Sequence, residues 1–230
     1  MIIEQFTQTA FQQNTRIVHC ERTKRSICID PGEPSGDVYE FLKDNKLGLQ
    51  AIALTHGHLD HVGGAASLKV SFPDAEVILH PDDEALYRSL PQQPLYMGLQ
   101  PHQLKELGME YDDPPDPTRY WQHGEIYEVG DLRFAVRHCP GHTRGHIVLI
   151  EENKKAVFAG DCLFLSSIGR TDLPGGNHEQ LIESINNNIL SLPDDFIVYS
   201  GHGPETTIGS ERRNNPFLNG TYAAGQGKIL

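Results

Sequence analysis

Apolar positions in this chain come in short runs rich in β-branched residues, separated by glycine, proline and charged stretches. Runs of that kind read as strands. The pattern predicts strands over Thr15–Cys20, Ser26–Asp30, Ala51–Leu54, Glu76–Leu79, Ile126–Val129, Leu132–Arg137, His146–Ile150, Ala156–Ala159 and Phe196–Ser200. Between some of them the period becomes helical. Gly36–Asn45 puts Val38, Phe41 and Leu42 on one face, and Val62–Phe72, Pro81–Ser89, Glu179–Leu190 and Ile208–Asn214 look similar. Asp37 and His178 fall near helix starts.

Strands cluster at the start of each half of the chain, with helices after them. This predicts two similar half-units, roughly 1–125 and 126–230, with sheets face to face and helices outside. The expected fold is therefore an α/β four-layer αββα sandwich, a single domain over 1–230. No clear sequence repeat links the halves. Pro91 to Trp121 breaks the pattern: it holds six of the 15 prolines and shows no strand period. A loop of that length is usually functional or disordered. Tyr96, Met97, Leu99, Tyr120 and Trp121 suit either a cover over a substrate or a surface insertion.

Charge and composition narrow the partners. A net charge of −12 argues against a nucleic-acid backbone, which needs clustered Lys and Arg, but leaves room for a small anion. No apolar run nears the ~18 residues of a membrane span, and the start Met1-Ile2-Ile3-Glu4-Gln5 lacks a basic leader. A cytoplasmic protein is expected, with no membrane partner. Cys20, Cys28, Cys139 and Cys162 form no Cys-x-x-Cys pair. Cys20 and Cys28 could face each other across a hairpin, but buried thiols in a reducing compartment are the simpler expectation.

The densest chemistry is Thr55-His56-Gly57-His58-Leu59-Asp60-His61, directly after Ala51–Leu54. Imidazole and carboxylate are ligands that zinc, and often iron, accept. Three other segments also end a strand-like run with a ligand-type residue beside glycine: Cys139-Pro140-Gly141-His142-Thr143, Phe158-Ala159-Gly160-Asp161, and Tyr199-Ser200-Gly201-His202-Gly203. Glycine there lets the backbone turn sharply. Alone, His142, Asp161 or His202 would pass as structural. Together the four segments nominate His56, His58, Asp60, His61, His142, Asp161 and His202, enough for two metals. His146 reads as a core histidine or as support behind the ligands. His19, His80, His102, His123, His138 and His178 have no partner pattern and read as structural or exposed.

Thr55–His61, Pro140–Thr143, Gly160-Asp161 and Gly201–Pro204 resemble the motifs of the metallo-β-lactamase superfamily. Gly160–Phe164 followed by Ser167–Asp172, and Gly201–Thr207, resemble its short glyoxalase II-like branch. The resemblance implies the αββα fold and two divalent ions, zinc or else iron or manganese. One would take His56, His58 and His142, the second Asp60, His61 and His202, with Asp161 bridging. Asp60 and Asp161 would carry the catalytic roles, holding and orienting a hydroxide that attacks a carbonyl. The implied reaction is hydrolysis of a small-molecule thioester, S-2-hydroxyacylglutathione such as lactoylglutathione. No spare general acid stands in the motifs, which favours a thiolate leaving group.

Departures from the branch matter. Longer glyoxalase II enzymes add a C-terminal helical domain that grips glutathione. Here residues 203–230 follow His202, with Arg212, Arg213 and Lys228 as their only bases, so that domain is expected to be missing. Arg170 falls where those enzymes have a glutathione-contacting lysine, so it reads either as a substrate contact or as the partner of a nearby Asp. The rival reading is a persulfide dioxygenase, with one iron held by His56, His142 and Asp161. Lactonase, β-lactamase, nuclease and non-catalytic binding modules fit less well.

Overall fold

The alternation of side chains along each strand decides the layers. In β3 (Arg25–Ile29), Ile27 and Ile29 face one way and Cys28 the other, and all three are buried. In β4 (Gly48–Ala53), Ala51 and Ala53 share the side of Ile27, while Ile52 sits with Cys28. A strand buried on both faces needs a layer on each side. The structure, a computed structural model of the chain, describes residues 1–34, 36–96, 98–107, 111 and 113–220. Met97 and Lys228 lie outside the described residues.

One sheet takes its strands in chain order: β1 (Ile2–Gln8), β2 (Gln13–His19), β3, β4, β5 (Glu76–Leu79) and β6 (Arg119–Tyr120). The first three pair antiparallel and the rest parallel. The second sheet contains β7 (Ile126–Val129), β8 (Leu132–His138), β9 (Ile147–Glu151), β10 (Ala156–Gly160), β13 (Ile197–Ser200) and β14 (Thr206–Thr207). Its order is β14-β13-β10-β9-β8-β7. A hairpin of β11 (Leu163–Phe164) and β12 (Ser167–Ile168) stands apart.

Three apolar clusters fill the spaces between four layers. The middle one joins Ile27, Ala53 and Ile78 to Phe134, Leu149 and Phe158, one set from each sheet. The first sheet's outer face packs on α1 (Gly36–Asp44) and α3 (Ala65–Ser71) through Val38, Leu42 and Leu68. The second sheet's outer face packs on α7 (His178–Asn188) and α8 (Ile208–Asn214) through Leu181, Ile185 and Ile208. The αββα sandwich expected from the sequence is therefore the fold. Among the described residues no helix is long and apolar enough to cross a membrane.

Two local expectations need correction. Val62–Phe72 is not one helix: α2 (Leu59–Val62) stops at Gly63-Gly64, and α3 starts after it. The break lets the Gly64 amide donate to the Pro31 carbonyl at 2.9 Å. After α4 (Glu84–Arg88), Pro91–Trp121 is not structureless, since it holds α5 (Gln93–Tyr96), α6 (Pro101–Glu106) and β6. β1 went unpredicted because its residues are mostly exposed or half-buried, as suits an edge strand with one packed neighbour. At α7 the cap is Asn177, whose side chain accepts from the Gln180 amide; His178 is the first helical residue.

Candidate metal centre

Strand ends from both sheets meet at one edge of the sandwich. β4 runs into His56 and His58, and the short α2 carries Asp60 and His61. β8 leads to His142, β10 to Asp161 and β13 to His202. The backbone approaches closely there. Gly160 sits at φ +47°, and a Cβ on it would lie 2.5 Å from Thr55 Oγ1. A Cβ on Gly201 would lie 2.2 Å from Asp161 Oδ1. Both places require glycine.

The seven side chains nominated from the sequence come together as two triplets with Asp161 between them. In the first, His58 Nδ1 lies 2.9 Å from His142 Nε2, with His56 beside them. In the second, His202 Nε2 lies 3.2 Å from Asp60 Oδ2 and 3.3 Å from His61 Nε2. Donor atoms within each triplet fall inside 4.8 Å of one another. Asp161 stands between, its Oδ2 3.6 Å from His142 Nε2 and 3.5 Å from His202 Nε2, its Oδ1 3.3 Å from His61 Nε2.

Hydrogen bonds behind the rings fix which nitrogen faces inward. His61 Nδ1 meets Asp30 Oδ2 at 3.0 Å, His142 Nδ1 donates to the Arg170 carbonyl at 2.8 Å, and His202 Nδ1 to the Phe11 carbonyl at 2.9 Å. His56 Nδ1 pairs with Thr55 Oγ1 at 3.0 Å. Each leaves Nε2 for the centre, whereas His58 presents Nδ1. Partners of this kind orient imidazole ligands and raise their basicity. His56 Nε2 and Asp161 Oδ1 are buried and have no hydrogen-bond partner. Such atoms are costly unless something else satisfies them, and a cation among imidazoles and carboxylates does so. The residues present fit divalent metal.

The two triplets differ electrostatically. Burial, reinforced by neighbouring histidines, holds His56 far below the usual imidazole range, and burial beside His142 pushes His58 down to about 3. Burial also works to lower His61, but the carboxylates of Asp161, Asp60 and Asp30 outweigh it and raise His61 well above its ordinary value. His202 goes up for the same reason, against burial and through Asp161 and Asp60. Burial would raise Asp60 and Asp161, yet the facing histidines bring both down. The first triplet is thus neutral imidazole, and the second is an ion-pair cluster.

A cavity of about 550 Å³ opens over the triplets. Phe11, Leu99, Phe164, Leu165 and Leu173 supply its apolar wall. Arg170 reaches its lining while Asp172 holds the guanidinium in a fork, Nε to Oδ1 and Nη2 to Oδ2 both at 2.8 Å. The ion pair considered for Arg170 therefore exists, at the cavity.

Several supporting residues escaped sequence reasoning. Asp83 is buried, and its carboxylate accepts from the Gly57 amide at 3.0 Å, Thr143 Oγ1 at 2.7 Å and the Gly145 amide at 2.6 Å. It ties the His56–His58 turn to the His142 loop. Gln93, from the proline-rich stretch, accepts from the Leu59 amide at 2.8 Å and donates to the Gly57 carbonyl at 2.8 Å. That stretch thus buttresses the ligand turn as well as placing Leu99 in the cavity wall, while Tyr96 and Tyr120 stay exposed and Trp121 is core. His146 stands beneath, its Nε2 accepting from the Asp161 amide at 3.0 Å. Its Nδ1 lies 3.2 Å from Cys162 Sγ, so it is both core and support. All four cysteines are free and buried, and Cys28 pairs across with Ile17 instead of Cys20. His19 is buried, and His102, His123 and His178 are exposed.

Comparison with known proteins places the chain in a family. The family model of the metallo-beta-lactamase superfamily matches residues 9–202. The chain is 42% identical over 220 residues to the Haemophilus influenzae protein named hydroxyacylglutathione hydrolase GloC, covering 95% of this chain and 99% of that one. The crystal structure of TTHA1623 in a di-iron-bound form superposes with a TM-score of 0.76 at 37% identity, covering 94% of this chain and 100% of that chain. The structure of ETHE1 from Myxococcus xanthus superposes with a TM-score of 0.77 at 27% identity, covering 96% and 85%. The chain belongs to the metallo-β-lactamase superfamily. It is a metallo-hydrolase-type enzyme that binds divalent metal.

Proposed function

We propose that this superfamily member hydrolyses thioesters in the cytoplasm, S-2-hydroxyacylglutathione above all, on two zinc ions. His56, His58 and His142 would hold one ion, Asp60, His61 and His202 the other, and Asp161 would serve both. The observation that carries the reading is the pair of orphaned atoms, His56 Nε2 and Asp161 Oδ1, buried among the two triplets under an open cavity. Ions there supply a water acidified to near neutral pH and positive charge for a developing carbonyl oxyanion.

The chain's own groups do the rest. Asp161 directs oxygens toward both triplets, and Asp60 lies where it can accept a hydrogen bond from the attacking group. Among the described residues lining the cavity, the ionisable ones are the metal-site side chains and Arg170. No separate acid is there to protonate a leaving amine. A thiol, with a pKa of about 8.5, leaves as thiolate without one. The apolar wall excludes water from the acyl group, and a volume of about 550 Å³ suits a small conjugate. Arg170 would take a carboxylate of the glutathione part in exchange for Asp172. The 42% identity to a protein named for hydroxyacylglutathione hydrolysis supports this substrate class.

A single-iron dioxygenase using His56, His142 and Asp161 is the second reading, and the likeness to ETHE1 is what favours it. It leaves His58, Asp60, His61 and His202 without a task. Elemental analysis, a thioester panel and oxygen uptake on glutathione persulfide separate the two. The hydrolase predicts two ions per chain and thioester turnover without oxygen uptake. One iron with oxygen consumption overturns it.

A further inference from the structure

A second group of ligand-type side chains lies outside the cavity lining. β5 ends at Leu79 and delivers His80, while β8 of the other sheet ends at His138. The two imidazoles stack, with centroids 4.1 Å apart and planes 10° from parallel. Asp82 Oδ2 reaches to 3.8 Å from His80 Nδ1. One nitrogen of each ring and a carboxylate oxygen of Asp82 fall within 4.8 Å of one another.

The hydrogen bonds leave each ring an unprotonated nitrogen, that of His80 held only by a long amide bond. His138 Nε2 lies 2.8 Å from the Arg144 carbonyl, which can only accept. That nitrogen therefore carries the ring proton, and Nδ1 keeps a lone pair. His80 Nδ1 accepts from the Asp82 amide at a long 3.3 Å, so it too bears a lone pair. Burial, then the nearby His138, brings His80 down to about 4. A cation arriving at neutral pH has no proton to displace from His80. One side is open: the Asp82 side chain is 58% exposed, the His80 side chain 10%.

We propose that His80, Asp82 and His138 form a second, peripheral site for a borderline divalent transition ion such as zinc or nickel. Two imidazoles and one carboxylate are donors that such ions choose, and water completes the shell. The Arg144 carbonyl orients His138 in the way that backbone carbonyls orient His142 and His202 in the main centre. Capture asks the half-buried His138 to tilt off the stack, and the ion replaces the long amide bond at His80. The site sits behind the His142 loop, because Asp83, next to Asp82, bonds Thr143 and Gly145.

The test loads the main centre first. Holoprotein is then titrated with Zn²⁺, and separately with Ni²⁺, by calorimetry, and metal per chain is counted after gel filtration. One additional ion per chain is expected. Asp82→Ala and His138→Ala should each weaken that ion at least tenfold while the main-centre complement stays in place. Asp82→Ala removes only an exposed carboxylate, so it tests the site without threatening the fold. No additional ion in the natural sequence, or an additional ion bound equally well by Asp82→Ala, overturns the proposal.

Discussion

Asp30 Oδ2 stands 3.0 Å from His61 Nδ1, with both side chains buried beneath the centre. The same carboxylate accepts from the Thr55 amide at 2.7 Å and from Thr55 Oγ1 at 2.6 Å. Asp30 thus sets the turn before His56 and aims the His61 ring. Removing such a partner typically costs 10–100-fold in metal affinity. Asp30→Asn should therefore weaken the ion at Asp60, His61 and His202 by about that factor, with a smaller loss at His56, His58 and His142 through the Thr55 turn. Chelator competition on the two-ion protein reads both constants, and equal weakening of the two would deny the local role.

Gly201→Ala should empty the centre by crowding. Its Cβ would lie 2.2 Å from Asp161 Oδ1 and 2.8 Å from His61 Cε1, and both groups are held by surrounding structure. Overpacking of this kind costs about 1–3 kcal/mol. Metal content and turnover should fall together while the far-ultraviolet dichroism stays. Full metal content in Gly201→Ala would show that the backbone yields there.

The contrast between the triplets predicts their proton traffic. His61 and His202 are raised and must lose protons to bind metal; His58, at about 3, has none to lose. Ion uptake at the second triplet should release protons near neutral pH and tighten as pH rises, while uptake at the first should not. In the metal-free chain, a raised histidine gives stability that is full below about pH 6.5 and lost as pH rises through its folded value. Calorimetry in buffers of different ionisation enthalpy measures the released protons. Equal release for both ions would contradict the assignment.

Arg170→Ala should raise KM for glutathione thioesters about tenfold, the size of one charge-assisted contact of about 1.4 kcal/mol, and leave kcat nearly unchanged. A thioester lacking the glutathione carboxylates should show no such change. An equal effect on both substrates would make the Arg170–Asp172 pair purely structural.

Gln93→Ala should reach the centre from the proline-rich stretch. It strips a partner from the Leu59 amide and from the Gly57 carbonyl, both buried, at about 1–3 kcal/mol. Thermal unfolding and metal retention should both drop. Unaltered metal retention would confine Gln93 to stability.

The clustered imidazoles and carboxylates were legible in the sequence because strand ends deliver them in compact words, four within Thr55–His61 and the rest beside glycine. The layers could be read because β3, β4, β9 and β10 are apolar on both faces. Asp30, Asp83 and Gln93 could not, because each carries no local pattern and its bonds to the turn at Thr55–Leu59 or to the His142 loop span 25 to 62 positions. A single Asp or Gln looks the same in sequence whether it caps a turn or faces water. Trp121 misled for a related reason. It sits in a proline-rich segment, yet it is core, its Nε1 donating to the Leu54 carbonyl at 3.1 Å. The break at Gly63-Gly64 was hidden by the helical period that continues across it.

Asn14 bonds the Gly201 carbonyl through its amide at 2.7 Å, and its side chain donates to the carbonyls of Ser200 and Gly203. Those side-chain partners lie 186 and 189 positions apart in the chain, and His61 and His202 lie 141 apart. Synthesis runs from the N-terminus, so a chain still emerging from the ribosome holds its first triplet's ligands, but not His202, once Asp161 has appeared. On the proposed assignment, capture of a second ion would wait until the last strands close against β2. That ion would act as a final stitch on a finished sandwich, and a chain halted after β10 would hold one cation rather than two.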